Sequence, residues 1–219
     1  MSILFVLVMF LLCISFSYFF GSQKHKAVAR AAPEPVKKPV VAQQGDFEMP
    51  KGYCFHPGHT WVLDEGRQNA RVGLDAFAVN LLGRIDRIEV TPHDRWVRQG
   101  QKIWSVTRDG ITVDMVAPVE GMVTSVNPKV LNDPNRIAED PYGDGWVLTL
   151  QAPQLGSCLN NLLRGSMIRA WMQNSMERVG ALCSAAAGTA LDGGPPIRGA
   201  LAQADPELRS RMIKEFFLL

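Results

Sequence analysis

Short segments between residues 60 and 150 pair apolar positions with polar ones, a pattern typical of half-buried β-strands. Ile85–Val90 shows it well, because apolar and polar side chains interchange along six positions. Gly, Pro, Asp and Asn separate these segments and supply turns. The other predicted strands are Thr60–Leu63, Asn69–Leu74, Lys102–Val106, Ile111–Val116, Gly121–Val126 and Trp146–Leu150. Many short strands joined by turns predict a mainly β fold, either a small barrel or a sandwich.

Asp109 and Gly110 stand between two of these strands and form a strong turn signal. Both central residues of a type I′ turn need a positive φ, which glycine adopts freely and aspartate tolerates. The sequence therefore predicts a tight hairpin whose tip consists of Arg108, Asp109 and Gly110.

Helical patterns appear at two places outside the strands. Asp75 is a good N-cap for a short helix over Ala76–Leu82, and Gly83 is suited to end it. Beyond Pro153 apolar residues recur at helical spacing through residue 185, with an interruption near Gly165.

The C-terminal end also has helical signals. Leu191–Leu201 is rich in Gly and Pro and predicts a loop, whereas Asp205 and Pro206 are typical of a helix start. The predicted final helix runs through Phe217 with one apolar face, formed by Leu208, Met212, Phe216 and Leu219. We expect residues 155–219 to pack on the β domain, because such a face is too hydrophobic to remain solvated.

The N-terminal segment from residue 3 to residue 20 contains no charged side chain and is long enough to cross a bilayer. It predicts a transmembrane anchor over residues 1–22. The alternative is a cleaved signal peptide, although no basic residue precedes the apolar run. Lys24, Lys26 and Arg30 follow the run, so the positive-inside rule places the folded domain in the cytoplasm, at a bacterial inner membrane. The apolar anchor residues are Ile3, Leu4, Phe5, Val6, Leu7, Val8, Met9, Phe10, Leu11, Leu12, Phe16, Phe19 and Phe20.

Composition limits the remaining function classes. The chain has 219 residues, of which 47% are hydrophobic and 20% charged, as expected for a folded protein. A net charge of +2 and the lack of a basic run interleaved with aromatics argue against nucleic-acid binding. The four cysteines show no CxxC spacing, which favours a reducing compartment. A Pro- and Ala-rich linker is predicted over residues 23–52.

Five stretches follow one another in a specific order and spacing: HTWV (59–62), VGLDAFAVNLLGRIDRIE (72–89), VRQGQKIWSV (97–106), VAPVEGMVTSVNPKVL (116–131) and EDPYGDGWVLTL (139–150). Together they resemble the glycine cleavage system H protein family. The resemblance covers residues 53–165, and the helical extension over residues 166–219 lies outside it. It implies a lipoyl-type barrel-sandwich hybrid with short helices.

Members of that family carry a lipoyl group on a hairpin lysine, which falls seven residues before the Ala of APV. Here that Ala is Ala117, so the resemblance places the acceptor position at Gly110. Arg108 cannot replace a lysine, because its guanidinium stays protonated and is a poor nucleophile. Lys102 and Lys129 lie nearby in sequence but not at the tip. We therefore predict no bound cofactor.

Three further groups of residues are candidate sites. Cys54, His56 and His59 lie close enough in sequence to suggest zinc or copper, but no fourth ligand is evident and His59 resembles a structural family residue. Asp109 and Asp114 are a weak candidate for paired carboxylates, because no His or Ser partner is near. These residues favour packing or turn roles, so neither a metal site nor a catalytic site is predicted.

Large apolar side chains form the third group. Four tryptophans favour core or barrel-rim positions over a stacking platform: Trp61, Trp96, Trp104 and Trp146. Trp171 and neighbouring methionines allow either an adaptable partner surface or packing of their helix on the β domain, and packing is favoured. Those methionines are Met167, Met172 and Met176.

The favoured function is a membrane-tethered, non-lipoylated H-protein-like module that docks a cytoplasmic protein partner and is not an enzyme. One alternative is a working carrier subunit of a one-carbon or acyl-transfer system, loaded at another lysine. Another is an adaptor of a membrane transport assembly, although the long helical hairpins typical of such adaptors are absent from the sequence pattern.

Overall fold

The computed structural model describes residues 41–43, 48–187 and 198–218. The predicted anchor over residues 3–20 and most of the predicted linker lie outside these ranges. Within them, no helix combines the length and the apolar character needed to cross a bilayer.

The described chain is mainly β with several helices, as the strand pattern predicts. Six antiparallel strands form one sheet in the order β3-β4-β5-β11-β10-β7, and three form a second sheet in the order β6-β8-β9. A separate two-stranded ladder pairs β1 with β2. The strands are β1 (Val41–Gln43), β2 (Glu48–Pro50), β3 (Tyr53–Phe55), β4 (Thr60–Gly66), β5 (Asn69–Leu74), β6 (Arg87–Val90), β7 (Trp96–Val97), β8 (Lys102–Arg108), β9 (Ile111–Val116), β10 (Gly121–Val126) and β11 (Leu148–Gln151).

Helices lie between strands and after the last strand. The predicted helix over Ala76–Leu82 is confirmed, and Gly165 separates two helices as expected. The helices are α1 (Ala76–Leu82), α2 (Pro128–Asn132), α3 (Arg136–Glu139), α4 (Leu155–Leu159), α5 (Ser166–Ala187), α6 (Ala200–Gln203) and α7 (Pro206–Phe217).

An aromatic group at the centre of the core joins β3, β4 and the loop before β11. Tyr53 and Trp61 meet edge to face with ring centroids 5.0 Å apart, and Tyr142 packs on both. Their polar atoms are paired: the Trp61 Nε1–H donates to the carbonyl oxygen of Leu74 at 2.7 Å, and the Tyr53 hydroxyl donates to the carbonyl oxygen of Tyr142 at 2.6 Å. Because buried polar groups are costly when unpaired, these bonds specify how the core fits together.

The C-terminal helices pack on the β domain, which confirms the expectation for the described part of the extension. Met212, Phe216 and Phe217 of α7 are buried, and the ring centroid of Phe216 lies 5.2 Å from that of Phe77 in α1. Leu208 is only half-buried, so the predicted apolar face is narrower than expected, and Leu219 lies outside the described residues.

Several element boundaries differ from the sequence prediction. β6 begins at Arg87 rather than Ile85, because the Ile85 amide donates to the side chain of Asn135 instead of joining the ladder. Leu201 belongs to α6, not to a loop, and its burial stabilises that turn. Asn127, which follows β10, caps α2 because its side chain accepts from the Lys129 amide at 3.0 Å.

Candidate functional site: the β8–β9 hairpin tip

The hairpin tip forms the tight turn that the sequence predicts. Arg108 and Ile111 are the last pair of the β8–β9 ladder, so Asp109 and Gly110 alone make the turn. Their φ angles are +47° and +75°, as a type I′ turn requires. The tip residues therefore lie where the family resemblance places the acceptor lysine.

Arg108 turns back from the tip towards the end of α1. Its Nη1 donates to the carbonyl oxygen of Leu82 at 2.5 Å, and its Nε lies 3.2 Å from the Asp109 carboxylate. Only 25% of its side chain is exposed. Leu82 supplies one of the last-turn carbonyls that a helix leaves without an intrahelical partner, and a positive charge is favourable there.

A second contact fixes the tip to the loop between α1 and β6. The backbone amide of Asp109 donates to the Asp86 carboxylate at 2.8 Å. Asp86 also faces the side chain of Arg84 at 3.6 Å. The tip is therefore held by its neighbours rather than projecting freely.

Gly110 is open to solvent at the place where a carrier would hold its amine. A Cβ at this position would meet no atom within 4 Å, although its φ of +75° disfavours larger residues. The fold leaves room for a side chain at Gly110 but supplies no nucleophile.

The described lysines lie elsewhere, and two of them form ion pairs. Lys102 Nζ is 2.6 Å from Asp114, and Lys129 Nζ is 3.1 Å from Asp144. Lys102 stands at the far end of β8, about 20 Å of extended chain from Arg108. Asp114 therefore neutralises a lysine and does not pair with Asp109 as a catalytic carboxylate.

Each member of the Cys54, His56 and His59 group has its own structural surroundings. Burial raises the pKa of the Cys54 thiol, so the thiol is less readily converted to the thiolate that binds metals. The His56 Nδ1 accepts from the Gly58 amide at 3.1 Å. Within the part of the chain that the structure describes, no three His, Cys, Asp or Glu side chains are arranged to hold a metal ion.

His59 is paired with Asp75 inside the domain. Its Nδ1 lies 2.7 Å from the Asp75 carboxylate, and both side chains are at most 1% exposed. The His59 ring stacks between Phe77 and Trp171, with centroid distances of 4.2 and 4.5 Å. The structural interpretation of His59 is thus confirmed, but the sequence did not reveal the partner, which is 16 residues away.

The tryptophan and methionine side chains named in the sequence analysis differ in how deeply they are buried. Trp61 and Trp104 are buried as expected and Trp146 is half-buried, whereas Trp96 is 47% exposed on the edge strand β7. The Trp104 Nε1–H is buried and has no hydrogen-bond partner among the residues that the structure describes. In α5, packing on the domain is confirmed for two side chains, Trp171 and Met172. Met176 is partly buried and Met167 is exposed.

Comparison with known proteins identifies the family of this chain. The sequence profile described as "Glycine cleavage H-protein" matches residues 53–175, more than half of the chain. The chain belongs to the glycine cleavage H-protein family. The family comprises carrier proteins rather than enzymes, and the matched region begins at β3 and ends within α5.

Individual relatives match more than half of this chain and most of their own length. A glycine cleavage system H protein of Prochlorococcus marinus is 35% identical over 117 residues, which are 53% of this chain and 89% of the relative. One from Cyanothece sp. is 34% identical over 129 residues, which are 59% of this chain and 98% of the relative. A crystal structure of the protein from Mycobacterium marinum has 27% identity and a TM-score of 0.45, covering 48% of this chain and 87% of that one.

Two features of the tip were missed by the sequence analysis. Arg108 was expected only as a residue that cannot be acylated, yet it connects the tip to Leu82. Gly199 belongs to the Gly- and Pro-rich segment that the sequence predicts as a loop, but its amide donates to the carbonyl oxygen of Asn80 at 2.7 Å beside Arg108. Neither contact has a local signal, because the partners lie 26 and 119 residues apart.

Proposed function

We propose that this H-protein family member is a binding module that carries no lipoyl group. The observation that supports the proposal is Gly110, which occupies the acceptor position implied by the family resemblance and has no side chain. Lipoylation joins a lysine amine to an activated lipoyl carboxyl carbon, with an amide bond formed, the activating group released and a proton lost to solvent. Neither Arg108 nor Asp109 can supply that neutral amine.

Other lysines do not replace the missing one at the tip. Among the described residues, Lys102 and Lys129 hold carboxylates, and Lys51 and Lys214 lie on other elements. Without the amine, the domain keeps a surface that a protein partner can recognise but lacks the lipoyl arm that transfers a chemical group. A protein partner that recognises H-protein surfaces is the simplest use for such a domain.

Intact mass spectrometry of the protein from its native host tests the missing modification. The expected mass is that of the unmodified chain. A mass increase of one lipoyl group, located on any lysine by peptide mapping, would overturn the proposal in favour of a carrier loaded elsewhere.

The membrane tether is the second part of the proposal and is supported by the uncharged segment at residues 3–20. The three basic residues after this segment favour a cytoplasmic domain. Membrane fractionation with alkaline extraction should leave the full-length chain in the pellet. Recovery in the supernatant, or an N-terminus that begins near Ala27 or Ala31, would contradict the tether.

Protease accessibility tests the orientation separately. A cytoplasmic domain should resist added protease in intact cells and be digested after lysis.

A pull-down from membranes with the N-terminal segment intact tests the docking role and should recover a protein partner. The Gly110→Lys variant provides a control that alters the tip alone. A partner recovered equally after mild unfolding of the domain would contradict specific docking.

A further inference from the structure

One guanidinium connects three elements at the hairpin. Arg108 starts from the end of β8, donates to Leu82 at the end of α1, and lies against Gly199 just before α6. A Cβ added at either Gly83 or Gly199 would overlap the Arg108 guanidinium, so the two glycines form a notch that fits it. Both glycines also have a positive φ, which other residues adopt at a cost.

Gly199 is bound to α1 independently of Arg108. Its amide donates to the carbonyl oxygen of Asn80 at 2.7 Å, and the next two residues, Ala200 and Leu201, are buried. The start of the C-terminal segment (residues 198–218) therefore lies on α1 at the point where Arg108 caps that helix. This segment is beyond the region matched by the family.

We propose that Arg108 is a latch that couples the hairpin tip to α1 and to α6 of the C-terminal segment. The latch holds the tip as a fixed part of the docking surface, so this inference rests on the proposed function and adds how that surface is maintained. Release of the latch would loosen the tip and α6 together. α7 would stay in place, because Met212, Phe216 and Phe217 hold it through buried contacts.

Hydrogen exchange measured by NMR or mass spectrometry on the full-length protein tests this coupling in Arg108→Ala. The reporting amides are those of Gly199, Ala202 and Ala204, whose acceptors are Asn80, Gly199 and Ala200. Loss of a charge-assisted hydrogen bond should accelerate their exchange by about tenfold. Amides of α7 and β11 should be unchanged and show that the domain remains folded.

Arg84→Ala is the matched control, because Arg84 lies next to Gly83 but is 75% exposed and, among the described residues, forms an ion pair with Asp86 alone. This variant should leave exchange in α6 unchanged. Equal acceleration in both arginine variants would overturn the latch, since a general loss of positive charge would then explain the result. Arg108→Lys should give an intermediate effect, because one amine keeps a donor but not the planar fork.

Gly199→Ala tests the coupling from the opposite side without changing the residue at position 108. Its added Cβ should displace the guanidinium and accelerate exchange at the tip, at the Asp109 amide that donates to Asp86. Acceleration confined to α6, with the tip unchanged, would show that the two elements are not coupled and overturn the proposal. A lipoyl group on the native protein would overturn the proposed function without altering these exchange patterns.

Discussion

Helices α1 and α7 each begin at an aspartate N-cap, but one of these caps is buried and the other is exposed. Asp75 caps α1 by accepting from the Ala78 amide at 2.8 Å, and Asp205 caps α7 by accepting from the amides of Glu207 and Leu208 at 2.9 Å. Asp75 is fully buried and also binds His59, whereas Asp205 is exposed. Of these two helices, α1 lies within the region matched by the family and α7 lies beyond it.

The difference shows how each region is held. The family domain buries a polar pair and stacks aromatic rings around it. The packing at this place therefore depends on the identity of each paired and stacked side chain. The C-terminal segment adds apolar side chains to that arrangement, with Phe216 on Phe77 and an exposed cap. A substitution of the same kind should therefore have different costs in the two regions.

Asp75→Ala should cause the largest loss of stability, because it removes both a cap and the partner of a buried histidine. Breaking a buried pair costs about 3–5 kcal/mol. Asp205→Ala, the matched cap in α7, should cost only about 1 kcal/mol. Chemical denaturation of both variants measures the contrast, and equal losses would show that burial of Asp75 contributes nothing.

Phe216→Ala should come next, with a loss of about 3 kcal/mol, because a buried aromatic ring is replaced by a cavity. Leu218→Ala is the control, since Leu218 is adjacent but 50% exposed and should change stability by less than about 0.5 kcal/mol. A single unfolding transition at a lower temperature is expected. An unchanged melting temperature would mean that α7 is not part of the cooperative domain.

His56 should make the free energy of unfolding depend on pH, with a smaller effect than the loss of the Phe216 ring. Burial, followed by the electrostatic influence of His59, lowers the pKa of His56 from its ordinary value of 6.5. The folded chain then binds this proton less readily than the unfolded chain, so stability falls as the pH drops below 6.5 towards the folded pKa. His56→Gln should reduce that loss of stability. Chemical denaturation between about pH 7 and about pH 5, a range that includes the ordinary histidine pKa, measures the difference.

His93 is a control, because its pKa shift has the opposite direction and its effect on the pH dependence of stability has the opposite sign. Its hydrogen bond with Asp94 raises the pKa of this exposed histidine, so its contribution to stability is present at low pH and lost as the pH rises through the folded pKa. His93→Gln should therefore not reduce the loss of stability at low pH. The same effect in both variants would contradict the role assigned to burial of His56.

The Arg178–Glu215 pair should give the smallest effect. It joins α5 to α7 at 2.6 Å but is partly exposed, and the guanidinium also lies 5.6 Å from the Phe216 ring centroid. Such pairs contribute about 0–1 kcal/mol. A double-mutant cycle with Arg178→Ala and Glu215→Ala measures their coupling, and a value near that for Asp75 would contradict the distinction between the two regions.

Local signals were sufficient for much of the fold and for the tip. The Asp109-Gly110 turn, the Asp75 and Asp205 caps and the break at Gly165 each depend on a few neighbouring residues, and each is present. Seven strands were predicted in the correct order, with errors of up to three residues at their ends, whereas β1, β2, β3 and β7 were not predicted. Such errors arise where long-range partners, like Asn135 for the Ile85 amide, compete with the ladder.

The arrangement around the tip was beyond the sequence pattern. The residues that meet at Arg108 come from α1 and from the segment before α6, which are separated by more than a hundred residues. Short helices such as α2 and α3 were also missed, because four or five residues give too few turns for a periodic signal. What decides these features is tertiary contact.

The absence of an amine at the tip is the central claim, and a parallel loading assay tests it most directly. The wild-type chain and Gly110→Lys are each co-expressed with a lipoate ligase, and their intact masses are compared. We expect no added lipoyl group on the wild type and a fraction of modified Gly110→Lys, because space at position 110 is open. A lipoyl group on the wild type would contradict the account, whereas an unmodified Gly110→Lys would show that more than the missing amine separates this tip from a carrier.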